Sequence, residues 1–382
     1  MRSVYLDYNA TTPLDPAVKA DMEPFFTEIW GNPSSVHHVG RQARALLDDF
    51  RDRAATVFGS KPSEVVFTSG GTESNNLAIF GTARLLRDKG RHLITSTIEH
   101  HAVLHCFDYL ERFEGFTVTR LPVDSSGLIN PDDLQKAITP ETTLVSLMAA
   151  NNETGSIQPI AALGAICQEQ DVLFHTDAAQ WFGKESFSEI GQFNADLVSI
   201  CGHKFHGPRG SGALYIKSPL QPHPIAFGGA HETERRAGTE NMPAIAGLVS
   251  AMERFIKRPV FDRATLEPLR RRLLEAVNAV GVASFRGSMS NSLSNTVSFT
   301  VTGCDSIALM AAFDIEGICA SSGSACSAGS LESSHVMRAM GVSEAESNAL
   351  VRFSIGRYTS GDDIDQTIAA LPKVLAQVRT SE

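Results

Sequence analysis

Between about residue 60 and residue 216, short β-branched runs alternate with stretches of helical pattern, and this alternation restricts the fold more than any other feature of the chain. The runs are Glu64-Val65-Val66-Phe67-Thr68, His92-Leu93-Ile94-Thr95, Thr143-Leu144-Val145-Ser146-Leu147, Val172-Leu173-Phe174-His175 and Leu197-Val198-Ser199-Ile200. Strands that recur with helices between them build a mostly parallel sheet covered by helices, so the expected class is α/β. Several runs end directly in residues with side-chain chemistry: Ser69-Gly70-Gly71-Thr72, Glu99-His100-His101, Asn151-Asn152-Glu153, Asp177-Ala178-Ala179-Gln180 and Gly202-His203-Lys204. Ligands of open α/β sheets sit at the carboxyl ends of the strands, which predicts a site along one edge of this sheet.

Beyond Thr239-Glu240-Asn241 the pattern turns helical to about residue 280, with Pro243 near the start. A second αβ region follows: a strand at 296–300, a helix from Asp305, a serine-rich run, a strand at 350–353 and a closing helix from about Asp362. With 382 residues and 42% hydrophobic content, two domains are expected, divided near residue 255. The net charge is -10 and basic residues are scattered, which excludes the basic stripe of a nucleic-acid binder. Six cysteines without a C-x-x-C pair argue against a structural zinc site or a disulfide framework and suit a reducing compartment. No apolar run approaches the roughly 18 residues needed to span a bilayer. A carboxylate at Asp7 interrupts the N-terminus before a signal peptide's apolar region could form, so the expected location is the cytoplasm.

The segment from Phe67 to Leu77 runs from a strand through two glycines into a helix, a geometry that aims free backbone N–H groups at an anion. It matches neither the dinucleotide fingerprint nor the P-loop. By itself, such a segment is equally well a plain strand-to-helix turn. Asp177 and Lys204 follow adjacent strand patterns. An isolated pair of this kind is more commonly a buried ion pair. Together with Thr72 for a phosphate, His100 to stack on a ring and Gln180 to reach a ring hydroxyl, the pair suits pyridoxal phosphate: the aldehyde needs an amine, and the pyridine nitrogen needs a carboxylate. His101 and His105 share one helical face, but a third zinc ligand is missing and no metal is expected. Arg352, on the late strand, has the planar fork that suits a carboxylate, or is a surface charge. Cys326 lies in Ser321-Ser322-Gly323-Ser324-Ala325-Cys326-Ser327-Ala328-Gly329-Ser330, a composition expected of a mobile connection carrying one soft nucleophile. A lone cysteine is otherwise a small buried hydrophobe.

These residues resemble the cysteine desulfurases of the NifS and IscS kind, within the class V aminotransferases of fold-type I pyridoxal phosphate enzymes. The resemblance extends over nearly the whole chain, through Tyr5-Leu6-Asp7-Tyr8-Asn9-Ala10-Thr11-Thr12-Pro13, Gly31-Asn32-Pro33-Ser34-Ser35, Glu99-His100, Asn151-Asn152-Glu153-Thr154-Gly155, His203-Lys204, Gly238-Thr239-Glu240-Asn241 and the Cys326 run. The Ser-Gly-Ser-Ala-Cys form is that of the first subgroup, and the R-x-G-H-H-C form of the second is absent. The resemblance implies a large cofactor domain at 15–255 and a small domain of 1–14 and 256–382, carrying the cysteine loop at about 321–332. It implies Lys204 as the cofactor lysine, Asp177 under the pyridine nitrogen, Gln180 and Asn152 near the ring hydroxyl and His100 over the ring. Gly71, Thr72, Cys201 and His203 would lie at the phosphate, and Thr239 would reach the phosphate site of a second subunit, which implies a homodimer. Asn32, Asn152 and Arg352 look like the substrate carboxylate site.

The implied reaction takes sulfur from L-cysteine, leaving L-alanine and a persulfide on Cys326, with Lys204 and His100 moving protons. The sulfur acceptor would be an iron–sulfur scaffold or a thiolation enzyme. Relatives usually carry serine where Cys201 stands, and a thiol is the poorer phosphate donor. Thr233-Glu234 stand where many relatives have Arg-Gly, and the chain stops at Glu382 without the longer tail of scaffold-binding relatives. A selenocysteine lyase, an aminotransferase and a catalytically silent partner protein are the alternatives.

Overall fold

A computed structural model describes residues 3–323 and 333–378. Its twelve strands are β1 (Val4–Tyr5), β2 (Val65–Thr68), β3 (His92–Ser96), β4 (Thr117–Leu121), β5 (Thr142–Ser146), β6 (Leu173–Asp177), β7 (Leu197–Cys201), β8 (Gly212–Ile216), β9 (Ala283–Arg286), β10 (Thr296–Val301), β11 (Ile318–Cys319) and β12 (Leu350–Ser354). Seven of them form one sheet in the order β2-β8-β7-β6-β5-β3-β4. Strands β2, β3, β5, β7 and β8 are buried at every position, as expected when helices cover both faces. The sheet is the mostly parallel one that the alternation predicts, with β8 as the reversed strand: it runs antiparallel to both β2 and β7.

That reversal has a local cause. After β7 the chain enters a short turn at Gly202–Lys204 and comes straight back as β8, so Lys204 sits in a return connection and not at the head of a crossover helix. The return requires Gly212, because a Cβ there would lie 2.7 Å from the Cα of Gly70. The phosphate-cup candidate and the lysine connection are thereby pressed together at one sheet edge.

A second core lies around the three-stranded antiparallel sheet β12-β10-β9. It gathers Phe261, Leu273, Val297, Phe299, Phe313, Phe353 and Leu371 with Val4, Leu6 and Tyr8 from the N-terminus. β1 pairs in parallel with β11, and the isolated bridge Asp7–Ser354 carries the N-terminal segment alongside β12. Helix ends in this half follow their sequence signals: Asp262 and Asp305 accept the first free N–H groups of helices Arg263–Ala279 and Ser306–Ile315. A small cluster of Ile98, Met148, Val336, Met337, Met340 and Leu350 fastens the helix His335–Ala339 to the edge of the large sheet. No helix among the described residues is long and apolar enough to cross a membrane.

Candidate active site

At the carboxyl ends of the parallel strands lies a cavity of about 360 Å³. Gly71, Thr72, His100, Asn152, Asp177, Gln180, Cys201, His203, Lys204 and Arg352 all line it. The anion end is the start of helix Gly71–Leu85. Its N-cap is Gly70, which has no side chain of its own to cap the first free N–H groups. Gly70 holds φ at 151°, a backbone conformation open to glycine, and a Cβ there would meet no atom within 4 Å. Gly71 faces Cys201, whose Cβ would be 3.5 Å from an added Cβ. Burial pushes the Cys201 thiol pKa up, opposed by the charge of Lys204 and by the backbone N–H groups of Gly71 and His203. The same thiol keeps an acceptor at the cup but makes a weak donor there.

Asp177 ends β6. Its Oδ2 accepts from Asn75 Nδ2 at 2.6 Å and its Oδ1 from the Ala179 N–H at 2.9 Å. Both carboxylate oxygens are thereby fixed in direction at the floor of the cavity. Directly behind it on β6, His175 bridges Ser146 Oγ at 2.7 Å and Ser199 Oγ at 2.9 Å, and its burial lowers its pKa to about 4, so it is neutral. Lys204 donates to the carbonyl oxygens of Asn9 at 2.6 Å and Ala10 at 2.8 Å. His203, with Nδ1 3.1 Å from Thr11 Oγ1, is driven down to about 4 by burial and by the charges of Lys204 and Arg209.

His100 caps helix His101–Phe113, with its Nδ1 accepting from the Ala102 N–H at 3.1 Å. That assignment leaves Nε2 to carry the proton of the neutral ring. Beside it, Glu99 is fully buried: Oε1 accepts from Ser96 and from the Met148 N–H, Oε2 has no partner among the described residues, and burial raises its pKa to about 8. Arg352 is 1% exposed, donating to Asp7 Oδ1 at 2.7 Å and to the Asn152 carbonyl at 2.9 Å. Its Nε is buried without a partner among the described residues, a donor left for a carboxylate.

These residues fit pyridoxal phosphate. The uncapped helix start suits its phosphate, Lys204 its aldehyde, and Asp177 its ring nitrogen. Asn32 does not line the cavity, and its Oδ1 accepts from the Ser34 N–H at 2.8 Å. Thr239 lines a smaller neighbouring cavity, which shares Ser69 and Gly210 with the first. Cys326 lies outside the described residues. The described ends that flank it are anchored beside the cavity: Ser321 exchanges backbone hydrogen bonds with Arg352, Ser334 donates to Glu153, and His335 Nε2 lies 2.9 Å from the Glu99 carbonyl.

Sequence reading passed over Asn9 and Asn75, which also line the site. Asn75 had a usable signal, since it follows Thr72 by three positions and so shares its face of the helix. Asn9 stands in the Tyr5–Pro13 segment that carries the resemblance, but its place depends on long-range contacts with Asn152, Lys184 and Thr296 that no local pattern encodes.

Residues 4–367 match the family described as Aminotransferase class-V. A curated relative, "Cysteine desulfurase IscS" of Dictyoglomus turgidum, is 43% identical over 380 residues, covering 99% of this chain and 96% of the relative. Among solved structures, a "NIFS-LIKE PROTEIN" superposes with a TM-score of 0.91 at 34% identity, covering 98% of this chain and 100% of its own. "SspA in complex with cysteine" gives a TM-score of 0.81 at 37% identity, with 94% and 100% coverage.

Proposed function

The chain belongs to the cysteine desulfurases of the class V aminotransferase family, and on that premise we propose that it removes sulfur from L-cysteine, giving L-alanine and a persulfide on Cys326. What supports this reading most is the convergence of Lys204, Asp177, His100 and the uncapped helix start on one cavity that also receives Arg352. When bound, pyridoxal phosphate supplies an electron sink that weakens bonds at the carbon skeleton of the amino acid.

The chain's own residues do the rest. Arg352 and Asn152 orient the substrate carboxylate, and Lys204 takes the Cα proton. His100, with Nε2 carrying the proton in its neutral form, moves protons near the substrate. Asp177 is held in place by Asn75 Nδ2 and the Ala179 N–H, which fix its carboxylate toward the cavity. Neutral His203 and the free N–H groups of the helix start hold a phosphate without adding a competing cation. The thiolate of Cys326 attacks the substrate sulfur; the S–S bond forms as the C–S bond breaks, the electron pair stays with the carbon and is protonated, and alanine leaves. The atoms balance as thiol plus cysteine giving persulfide plus alanine.

The reading includes a homodimer in which Thr239 meets the partner's phosphate site, a cytoplasmic setting that keeps Cys326 reduced, and an acceptor protein that takes the persulfide sulfur onward. Cys326→Ser tests it. The variant should keep the yellow colour of the loaded protein and lose persulfide formation, and normal sulfide release from it would reject the assignment.

A further inference from the structure

Lys184 is 3% exposed and lies behind the cavity wall. Its Nζ donates to Asn9 Oδ1 at 2.7 Å and to Gln180 Oε1 at 2.5 Å, both amide oxygens. The adjacent carboxylate, Glu185, is engaged by Arg263 at 2.7 Å. A buried amine answered by amides is a costly arrangement, and burial together with the charges of Lys204 and Arg352 sets its pKa well below the ordinary lysine value.

An amide whose oxygen is held must present its nitrogen elsewhere. Gln180 Nε2 is turned onto the Asn9 carbonyl at 2.9 Å, the same carbonyl that accepts from Lys204 at 2.6 Å. The Asn9 amide nitrogen is turned onto Thr296 Oγ1 at 2.9 Å and the Asn152 carbonyl at 3.2 Å. The turn that carries Lys184 is wedged against the residue following Lys204: a Cβ at Gly183 would fall 2.5 Å from the Cβ of Phe205, and Gly183 holds φ at 76°.

We propose that Lys184 is a positioning residue of this site, fixing the amides of Asn9 and Gln180 and through them the carbonyl on which the Lys204 amine rests. The proposal rests on the function assigned above. It predicts that Lys184 controls how fast the Lys204 amine engages an aldehyde, and that it leaves the anion end of the cavity alone.

The test uses Lys184→Met in the full chain, which keeps the apolar stem and removes the donor. Covalent uptake of pyridoxal phosphate by the apoprotein is followed by visible absorbance, and inorganic phosphate binding by the shift it produces in the melting temperature. The expected result is uptake and kcat each slowed about tenfold, with KM within about twofold and the phosphate shift unchanged. Asn295 Nδ2 supports the same Asn9 oxygen at 2.9 Å, so Asn295→Leu should slow uptake in the same direction by less. Loss of phosphate binding in step with uptake, or uptake at the parent rate, overturns the proposal. Should Lys184→Met fail to fold, Asn295→Leu decides alone, and parent-rate uptake rejects the idea. A parent protein that neither takes up the cofactor nor yields alanine rejects the underlying function instead.

Discussion

The two walls of the cavity are built in opposite ways. One wall, holding Gly71, Asp177, His203 and Lys204, rises from strand ends of a single sheet, and its residues fall within one stretch of alternating pattern. The other sets Asn9 and Arg352 against the strand-end residue Asn152, and its central contact links Arg352 to Asp7 across 345 positions of sequence. The first wall is local chemistry displayed by a repeated supersecondary unit. The second exists only because the N-terminal segment crosses to β12 and is buried in the second core. In such a site, the groups proposed for the electron sink can be read in order along the chain, while those proposed for substrate binding depend on long-range closure.

Three experiments sharpen or break this contrast. The largest effect is expected at the first wall: Lys204→Ala should lower kcat at least ~10³-fold and abolish the visible absorbance of the loaded protein, because no other group replaces a positioned proton carrier. Retained absorbance would show that a different amine engages the aldehyde. At the second wall, Asp7→Asn leaves the buried Arg352 charge without its carboxylate and should cost ~3 kcal/mol of stability, read by chemical denaturation. The double variant Asp7→Asn with Arg352→Met should recover much of that loss, since both partners are then gone. A double variant as unstable as the single would mean that closure depends on packing and not on this pair.

The smallest effect concerns Glu99, beneath the first wall. Its folded pKa is raised to about 8, so its contribution to stability is fully present below its unfolded value and is lost as pH rises through the folded one. Stability should therefore fall between about pH 4.5 and pH 8 by this group, and Glu99→Gln should flatten that slope in melting curves. An unchanged slope would assign the pH dependence elsewhere.

Much of the first wall was legible before any fold was known. The runs ending in Thr68, His175 and Ile200 became β2, β6 and β7 with edges shifted by a residue or two. β8 was not among the runs named from sequence, and nothing in Gly212-Ala213-Leu214-Tyr215-Ile216 marks a reversal, because it is buried throughout like the strands β5 and β7. Composition reports burial on both faces and carries no sign of direction. Asn32 and Thr239 were singled out by resemblance, and within one chain neither lines the main cavity. Lys184 carried no signal at all: a lysine three places past a tryptophan reads as a surface charge until the turn at Gly183 folds it inward.

The sequence by itself determined the α/β class and the strand ends whose polar residues gather at the cavity, and it offered Cys326 as the candidate nucleophile of the proposed reaction. Those properties follow from short-range pattern, since alternation, glycine placement and residue type act within a few positions. Tertiary structure decided which amides face Lys204, that Arg352 is held by Asp7, and that a buried lysine stands behind the wall. Such contacts join segments hundreds of residues apart, and their geometry is set by how two cores pack together, which no local pattern encodes.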